Sequence, residues 1–335
     1  MKKTFLFVCV AVLACGVLAG CGVKDEAKDP SSKPLVKVRV LLDWTPNTNH
    51  TGMYVALEKG YYTAQGLDVE IVSPAEDTVL EALVAGRAEF GVSFQESVTF
   101  ARTADTPLPV VAVAAVIQHN TSGFAAPVSK NIRSPKDFEG KRYGGWGTPL
   151  EESIIARLMG NAGADVGKVT FISDNATDFM AALERNIDFS WIYEGWDGMA
   201  AKEAGMDLTF MKLQDLDPKL DFYTPVLACS ESLIQEQPDL IETFLKATSL
   251  GYADCISDSD GSAAILVKHA PEIDAALAQR SQRYLADEYQ SDAPRWGEMK
   301  TEVWENFAEF LYENGIITRP LDAAKAYTNG FLPAP

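Results

Sequence analysis

The order in which strand-like and helix-like segments alternate along the chain is the feature that most restricts its fold. "VKVRVLL", "LDVEIV", "FGVSF" and "LPVVAVAAVI" are apolar runs typical of strands, and segments with helical spacing separate them. The last run is continuously apolar, as expected for a strand that is buried on both faces of a parallel sheet. This βαβα order predicts an α/β domain with a mostly parallel sheet.

The alternation begins again near Ser134, which predicts a second α/β unit. Ser134 and Pro135 are typical of a helix start, and "KRYGGW", "VTFIS" and "DFSWIY" follow as strand-like runs. From Asp239 onward the pattern is mostly helical. Two lobes joined by two crossings of the chain accommodate this tail most simply, whereas two sequential domains without a shared cleft are the alternative. We expect lobe 1 to comprise residues 36–123 and 225–335, and lobe 2 to comprise residues 124–224.

The N-terminus has the layout of a secretory signal. Two lysines precede an apolar run, and small residues then lead to Cys21. "VLAGC" resembles the lipobox of bacterial lipoproteins, in which the cysteine becomes the lipidated first residue; an ordinary cleaved signal or an uncleaved helix is the alternative. We expect residues 1–20 to be a lipoprotein signal peptide and residues 21–35 a flexible tether. Cys21 would then anchor the protein to the extracytoplasmic face of the cell membrane.

Charge and cysteine content exclude several classes of protein. The net charge of −18 argues against a surface that neutralises nucleic-acid phosphates. Three of the 5 cysteines lie in the leader and the lipobox, so only Cys229 and Cys255 remain in the globular part. They form neither a disulfide framework nor a metal-binding spacing. We expect two free buried thiols, with a single bridge as the alternative.

Familiar enzyme signatures are missing from the sequence. Neither a phosphate-binding glycine loop nor a GxSxG nucleophile turn occurs, and no pair of histidines or cysteines has zinc-ligand spacing. The only histidines are His50, His119 and His269, and none has an obvious nucleophile beside it. We therefore predict a protein without catalytic activity, cofactor or metal.

Four strand ends carry an unusual density of aromatic and polar residues. Parallel α/β sheets bind ligands just beyond the C-terminal ends of their strands, and two of these four ends fall in each expected lobe. Side chains from both lobes should therefore converge on a cleft suited to a small, flat molecule with a polar edge. The candidate ligand-binding residues are Trp44, Asn47, Asn49, His50, Phe94, Glu96, Trp146, Tyr193, Glu194 and Trp196.

Each candidate residue could instead have a purely structural role, without contact to a ligand. We expect one of Asn47 and Asn49 to cap the following helix and the other to point inward. Glu96 could be a first-turn acid favoured by the helix dipole, and Glu194 a solvated loop acid. His50 could simply bond to backbone. The rings that could belong to a core are those of Trp44, Trp146 and Trp191.

Longer segments resemble a known family. "WTPNTNHTGMYVALEKGYYTAQGLDVEIV", "LVAGRAEFGVS" and "SPKDFEGKRYG" resemble solute-binding proteins of the thiamine-pyrimidine-precursor group. The resemblance implies a two-lobed type II periplasmic-binding fold and a monomer that serves the permease and ATPase of an ABC importer. It implies a heteroaromatic ligand, an aminopyrimidine such as formylaminopyrimidine, stacked between Trp44 and Tyr193 and hydrogen-bonded at its edge by Glu194.

The same resemblance leaves other functions open. Riboflavin is an alternative ligand, and so are sulfonates or nitrate, although the candidate residues include no Arg or Lys. The family also includes fungal pyrimidine synthases, which consume their own histidine, at the position of His50, together with pyridoxal phosphate. "GGWGTPLEE" lacks the cysteines of those synthases, and this chain has an export signal. Both departures favour a binding protein.

Overall fold

The computed structural model describes residues 34–73, 79–173, 179–184 and 186–335. Within this part, the segment from Leu35 to Pro335 forms one compact unit. The expected signal peptide, Cys21 and nearly all of the tether lie outside the described residues, so lipidation stays a prediction. No helix in the described ranges is long and apolar enough to cross a membrane.

Two five-stranded sheets form the framework of the described part. The first sheet contains β1 (Val36–Leu41), β2 (Leu67–Val72), β3 (Phe90–Ser93), β4 (Val110–Ala115) and β10 (Val226–Ser230), in the order β2-β1-β3-β10-β4. The second contains β5 (Ser122–Pro127), β6 (Arg142–Gly145), β7 (Thr170–Ser173), β8 (Phe189–Tyr193) and β9 (Leu208–Lys212), in the order β7-β6-β8-β5-β9.

Helices fill the connections and the tail. The α-helices are α1 (Thr51–Glu58), α2 (Tyr61–Ala64), α3 (Val79–Val84), α4 (Gln95–Thr103), α5 (Pro149–Asn161), α6 (Phe179–Glu184), α7 (Met199–Glu203), α8 (Leu213–Leu216), α9 (Glu231–Glu236), α10 (Pro238–Ser257), α11 (Ser259–His269), α12 (Ala275–Ala286), α13 (Thr301–Glu313) and α14 (Ala323–Ala326). Short 3₁₀ helices span Thr48–His50, Val128–Lys130, Pro135–Phe138, Val166–Lys168 and Pro218–Leu220, and a π-helix spans Glu194–Gly198.

Each sheet has one strand that runs against the other four. In the first sheet β10 is antiparallel to β3 and β4, and in the second β5 is antiparallel to β8 and β9. Both reversed strands begin beside the C-terminal end of a neighbour, since Val226 pairs with Ser93 and Ser122 pairs with Tyr193. Each is the first strand after a crossing of the chain. The crossings therefore enter each sheet from the edge where the parallel strands end.

The predicted α/β class with two mostly parallel sheets is confirmed. The tail helices α9 to α12 cover the first sheet, where Phe244 stacks on Phe90 at 4.0 Å between ring centroids. Helix α13 is shared: Trp304 packs in the core beside β4 and β10, whereas Phe307 and Phe310 pack in the core of the second sheet. The expectation that residues 225–335 belong to lobe 1 does not account for this contact, and the exact lobe boundaries stay a prediction.

Both globular cysteines are buried and free, as the sequence analysis favours. Burial raises the pKa of Cys229 to about 12 and, as the largest effect, that of Cys255 to about 12 as well. At neutral pH they are therefore unreactive thiols packed in the core.

Candidate functional site

A cavity of about 370 Å³ lies where the strand ends of the two sheets face each other. Its walls follow β1 and β3 in the first sheet and β6 and β8 in the second, as the strand-end rule predicts. Eight of the ten candidate residues line it: Trp44, Asn47, Asn49, Phe94, Glu96, Trp146, Tyr193 and Trp196. His50 and Glu194 do not belong to the lining.

The loop after β1 is built around His50, whose side chain is 1% exposed. Its Nδ1 accepts a hydrogen bond from the backbone N–H of Asn47 at 3.2 Å, so Nδ1 carries no proton and Nε2 donates to Asp43 Oδ1 at 2.7 Å. Asn47 in turn accepts from the N–H of Asn49 at 2.9 Å and caps the short helix. His50 thus lies behind the wall and orients Asp43, which lines the cavity.

Asn47 does cap, as expected for one of the two asparagines, and both Asn47 and Asn49 line the cavity. The backbone beside them is tied to the tail, because Tyr252 donates its hydroxyl to the carbonyl of Asn49 at 2.7 Å. Tyr289 donates to the carbonyl of Thr48, also at 2.7 Å. Two buried tyrosines of the tail therefore add to the hydrogen bonds that His50 and Asn47 make within the wall.

Trp146 is positioned by a buried carboxylate. Glu151, in the first turn of α5 and 1% exposed, accepts from the Tyr143 hydroxyl at 2.6 Å and from the backbone N–H groups of Trp146 and Thr148 at 3.0 and 2.8 Å. This arrangement fixes the loop that follows β6. Trp146 remains 49% exposed at the rim and meets Trp191 edge-on at 6.4 Å.

Glu194 points away from the cavity. Its Oε2 accepts from the Tyr284 hydroxyl at 2.9 Å, and Lys212 and Lys202 lie 3.5 and 3.7 Å from its carboxylate. The predicted edge-reading role therefore does not fit this arrangement. Sequence reasoning placed Glu194 correctly at the end of β8, but the π-helix that follows directs its side chain toward α12.

Aromatic rings and carboxyl groups dominate the lining. Besides the candidate rings, Trp191 and Phe179 contribute, and Trp44 is 40% exposed. The charged lining residues in the described part are Asp43, Glu96 and Asp197, and no Lys, Arg or His belongs to the lining there. Burial raises the pKa of Glu96 to about 7, while the pKa of Tyr193 is raised first by burial and then by the charge of Glu96.

Several lining residues were not among the ten candidates. They are Asp43, Gly144, Gly145, Phe179, Ala182, Ser190, Trp191, Ile192, Asp197 and Thr224. The strand-end rule could have found Asp43 and Asp197, since both adjoin candidates. Phe179 on α6 and Thr224 before β10 carried no signal, because only the packing of helix and crossing on the sheets brings them here.

A metal-binding cluster of His, Cys, Asp or Glu does not occur in the described ranges. The other histidines have structural partners: His119 lies between Asp221 and Asp292 at 2.7 and 3.1 Å, and His269 contacts Glu58 at 2.9 Å.

Comparison with protein families shows which family the chain belongs to. The family model described as NMT1/THI5 like matches residues 47–262, more than half of the sequence. The chain belongs to the NMT1/THI5-like family. The match begins at Asn47, inside the first cavity wall, and extends past the π-helix and the second crossing.

Proteins that are similar to this chain are named for different functions. A formylaminopyrimidine-binding protein of Halalkalibacterium halodurans is 27% identical over 95% of this chain and 96% of its own. The riboflavin-binding protein RibY of Chloroflexus aurantiacus is 24% identical over 92% and 89%. A 4-amino-5-hydroxymethyl-2-methylpyrimidine phosphate synthase of Legionella pneumophila is 25% identical over 89% and 92%.

Among solved structures, the alkanesulfonate-binding protein SsuA from Xanthomonas axonopodis pv. citri is similar with a TM-score of 0.66 and 15% identity. The alignment covers 89% of this chain and 99% of that protein. At this identity the similarity shows the fold, which is the predicted two-lobed periplasmic-binding fold.

Proposed function

We propose that the protein is the extracytoplasmic solute-binding component of an ABC importer and captures a small aminopyrimidine, such as formylaminopyrimidine. The observation that carries the proposal is a cavity with aromatic rings on both walls and acceptor groups at its edge. Flat rings stack on aromatic side chains, and each pair contributes about 0.5–1.5 kcal/mol beyond burial. The formylaminopyrimidine-binding relative, similar over 95% of the chain, supports this choice.

The size and charge of the cavity favour this ligand over the alternatives. A volume of about 370 Å³ is near the lower end of the range of about 300–1,000 Å³ for ligand pockets, which favours one ring over the three rings of riboflavin. Sulfonates and nitrate are anions. A lining with three carboxyl groups and no basic side chain in the described part disfavours them.

Capture proceeds by closure of the two lobes. Only the closed arrangement brings ligand into contact with both walls, so ligand shifts the population toward it. Ser281 on α12 connects the walls, because its hydroxyl bonds to Thr48 Oγ1 at 2.5 Å and to the carbonyl of Gly195. The loaded, closed protein then docks on a permease whose ATPase supplies the energy for import. A lipid anchor on Cys21 would keep it near the permease as a monomer.

The placement of His50 supports a binding protein over a synthase. A histidine that is consumed in a reaction must reach the ligand, whereas both ring nitrogens of His50 are engaged and the ring is 1% exposed. Because one relative is named as a pyrimidine phosphate synthase, the synthase alternative needs a direct test. Incubation with pyridoxal phosphate and iron, followed by mass measurement of the His50 peptide, should give no modification; a modified peptide would establish the synthase.

Calorimetric titration tests the ligand. Purified protein should bind formylaminopyrimidine and related aminopyrimidines, and should bind riboflavin and taurine much more weakly. Trp44→Ala and Trp146→Ala should each weaken aminopyrimidine binding by about two- to tenfold, the loss of one stacked ring. If the protein binds riboflavin tightly and does not bind aminopyrimidines, riboflavin is the ligand and the proposed ligand is wrong.

A further inference from the structure

Glu96 is an unusual residue within the cavity wall. It lies in the first turn of α4, two residues after Phe94 and just beyond the end of β3, and it is one of the residues that line the cavity. Its Oε2 atom is buried and has no hydrogen-bonding partner among the described residues. A buried acceptor without a partner costs about 1–3 kcal/mol, more when it is charged. A ligand that donates to this oxygen would remove that cost.

The groups around Glu96 do not neutralise it. Asp43 from the loop after β1, Tyr193 from β8 and Asp197 from the π-helix face the same cavity. The Tyr193 hydroxyl pairs with Thr224 Oγ1 at 3.3 Å, and the Tyr193 backbone N–H donates to Asp197 at 3.3 Å. Asp43 is held by His50. In the described lining no cation balances the carboxyl group of Glu96.

Two opposing effects set the protonation of Glu96. The backbone N–H of its own residue at the start of α4 favours the carboxylate, and burial favours the neutral acid. Burial is the larger effect, so the pKa rises to about 7. Near neutral pH the cavity therefore presents both forms of this carboxyl group.

We propose that Glu96 selects the ligand by sharing one proton with it, which requires an amino N–H next to a basic ring nitrogen. This inference rests on the proposed function and takes over the role that sequence reasoning gave to Glu194. The two carboxyl oxygens meet the two adjacent positions of the ring: one accepts from the amino group, and the other holds the shared proton with the ring nitrogen. Charge-assisted pairs of this kind are about twice as strong as neutral ones.

The proton count follows from this pairing. A neutral acid with a neutral ring and a carboxylate with a protonated ring contain the same single proton, so the complex holds one proton in either form. Above about pH 7 both free partners lack it, so binding takes one proton from the buffer and the affinity falls about tenfold per pH unit. Below the pKa of the ring, binding releases a proton instead. The affinity is greatest between the two pKa values.

The same lining discriminates against phosphorylated ligands. A phosphate ester would add roughly two negative charges to a cavity that already holds the carboxyl groups of Asp43, Glu96 and Asp197. We expect the cavity to bind the free alcohol or the formamide of the aminopyrimidine. Its affinity for the phosphate ester should be lower by at least about a hundredfold, because the like charges repel each other.

Calorimetry in two buffers of different ionisation enthalpy tests the proposal, with 4-amino-5-hydroxymethyl-2-methylpyrimidine and its phosphate ester as probes. Near pH 8 the unsubstituted protein should take up about one proton per bound pyrimidine. Glu96→Gln keeps the shape and two hydrogen bonds but has no proton to share. Its proton uptake should therefore vanish, and its affinity should be independent of pH above the pKa of the ligand ring. Glu96→Ala should weaken binding by about ten- to a hundredfold.

Glu305→Gln is the matched control, because Glu305 is an exposed acid on α13 outside the cavity. Its proton uptake and affinity should equal those of the unsubstituted protein. Equal uptake in Glu96→Gln, or tight binding of the phosphate ester, would overturn the role of Glu96 and leave the proposed function standing. If the unsubstituted protein binds no aminopyrimidine at any pH, the proposed function itself is wrong.

Discussion

At the scale of single residues, the cavity wall depends on side chains that never touch the cavity. His50 and Glu151 are each 1% exposed, and each fixes a loop by bonding to its backbone N–H groups. Such buried charge-assisted bonds cost little when all partners are present and much when one is removed. The residues that position a site are therefore more sensitive to substitution than many that line it.

His50→Ala should show this sensitivity. The change leaves the Asp43 carboxylate and the Asn47 N–H without their partner, so we expect the free energy of unfolding to fall by about 2–4 kcal/mol. Urea denaturation measures it. His269→Ala is the control, since its contact with Glu58 lies at the surface and should contribute no more than about 1 kcal/mol. Equal losses in the two variants would contradict a positioning role for His50.

At the scale of elements, helix α1 is held against α10 by two glycines. An added Cβ at Gly251 would lie 1.9 Å from the carbonyl oxygen of Gly52. The two backbones are in direct contact, and Tyr252, the next residue, reaches past this contact to the Asn49 carbonyl. The close approach thus places the tail against the first cavity wall.

Gly251→Ala should destabilise the protein by about 3 kcal/mol or more, because either α1 or α10 must move. Gly160→Ala is a matched control in another helix: Gly160 lies in α5, and an added Cβ there meets nothing within 4 Å. It should stabilise the protein by about 0.5–1 kcal/mol. Thermal unfolding of both variants tests this contrast, and a Gly251→Ala variant as stable as the parent would refute the tight contact.

A half-buried histidine joins the two crossings of the chain by hydrogen bonds to acidic residues. His119, after β4, bonds to Asp221, which precedes β10, and to Asp292 in the tail. The hydrogen bond to Asp221 is the largest cause that raises the pKa of His119 to about 9. Because the pKa is higher in the folded than in the unfolded protein, the protonated form of His119 stabilises the fold.

His119 should therefore make stability depend on pH. Its contribution is fully present below the unfolded pKa of about 6.5 and is lost as the pH rises through about 9. The unfolding free energies of the parent and His119→Ala should differ by about 1–2 kcal/mol more near pH 6 than near pH 10. Urea denaturation across that range checks it. A difference that stays constant with pH would exclude the ion pair as its cause.

At the scale of the whole molecule, two tryptophans mark the opening of the cavity on opposite walls. Trp44 is 40% exposed after β1, and Trp146 is 49% exposed after β6. Large exposed rings beside a cavity are surfaces that a ligand or the opposite wall can cover. Closure of the lobes would remove both from water.

Saturation with an aminopyrimidine should reduce the radius of gyration in X-ray scattering and protect tryptophan fluorescence from acrylamide. Trp191, Trp296 and Trp304 are buried already, and Trp196 is half-buried in the lining, so the larger part of the change should come from the two exposed rings. In the double variant Trp44→Phe, Trp146→Phe the scattering change should persist while most of the fluorescence protection is lost. Binding without either change would contradict capture by closure.

Local sequence was sufficient for much of this protein. The α/β alternation and the Ser134 start agree with the structure, and eight of the ten candidate residues line the cavity, while their ligand-binding roles stay predictions. These features depend on local rules of periodicity, capping and strand ends, which a short segment obeys wherever it lies.

Tertiary structure decided the direction of the decisive side chains. Glu194 and Glu96 both follow strands in the sequence, yet the π-helix turns Glu194 to Tyr284 and Lys212, while α4 leaves Glu96 in the cavity without a partner. His50 looks in sequence like a wall residue and lies behind the wall. Which carboxyl or ring faces a ligand depends on partners more than 80 residues away, such as Tyr284 for Glu194, and burial against those partners sets its protonation.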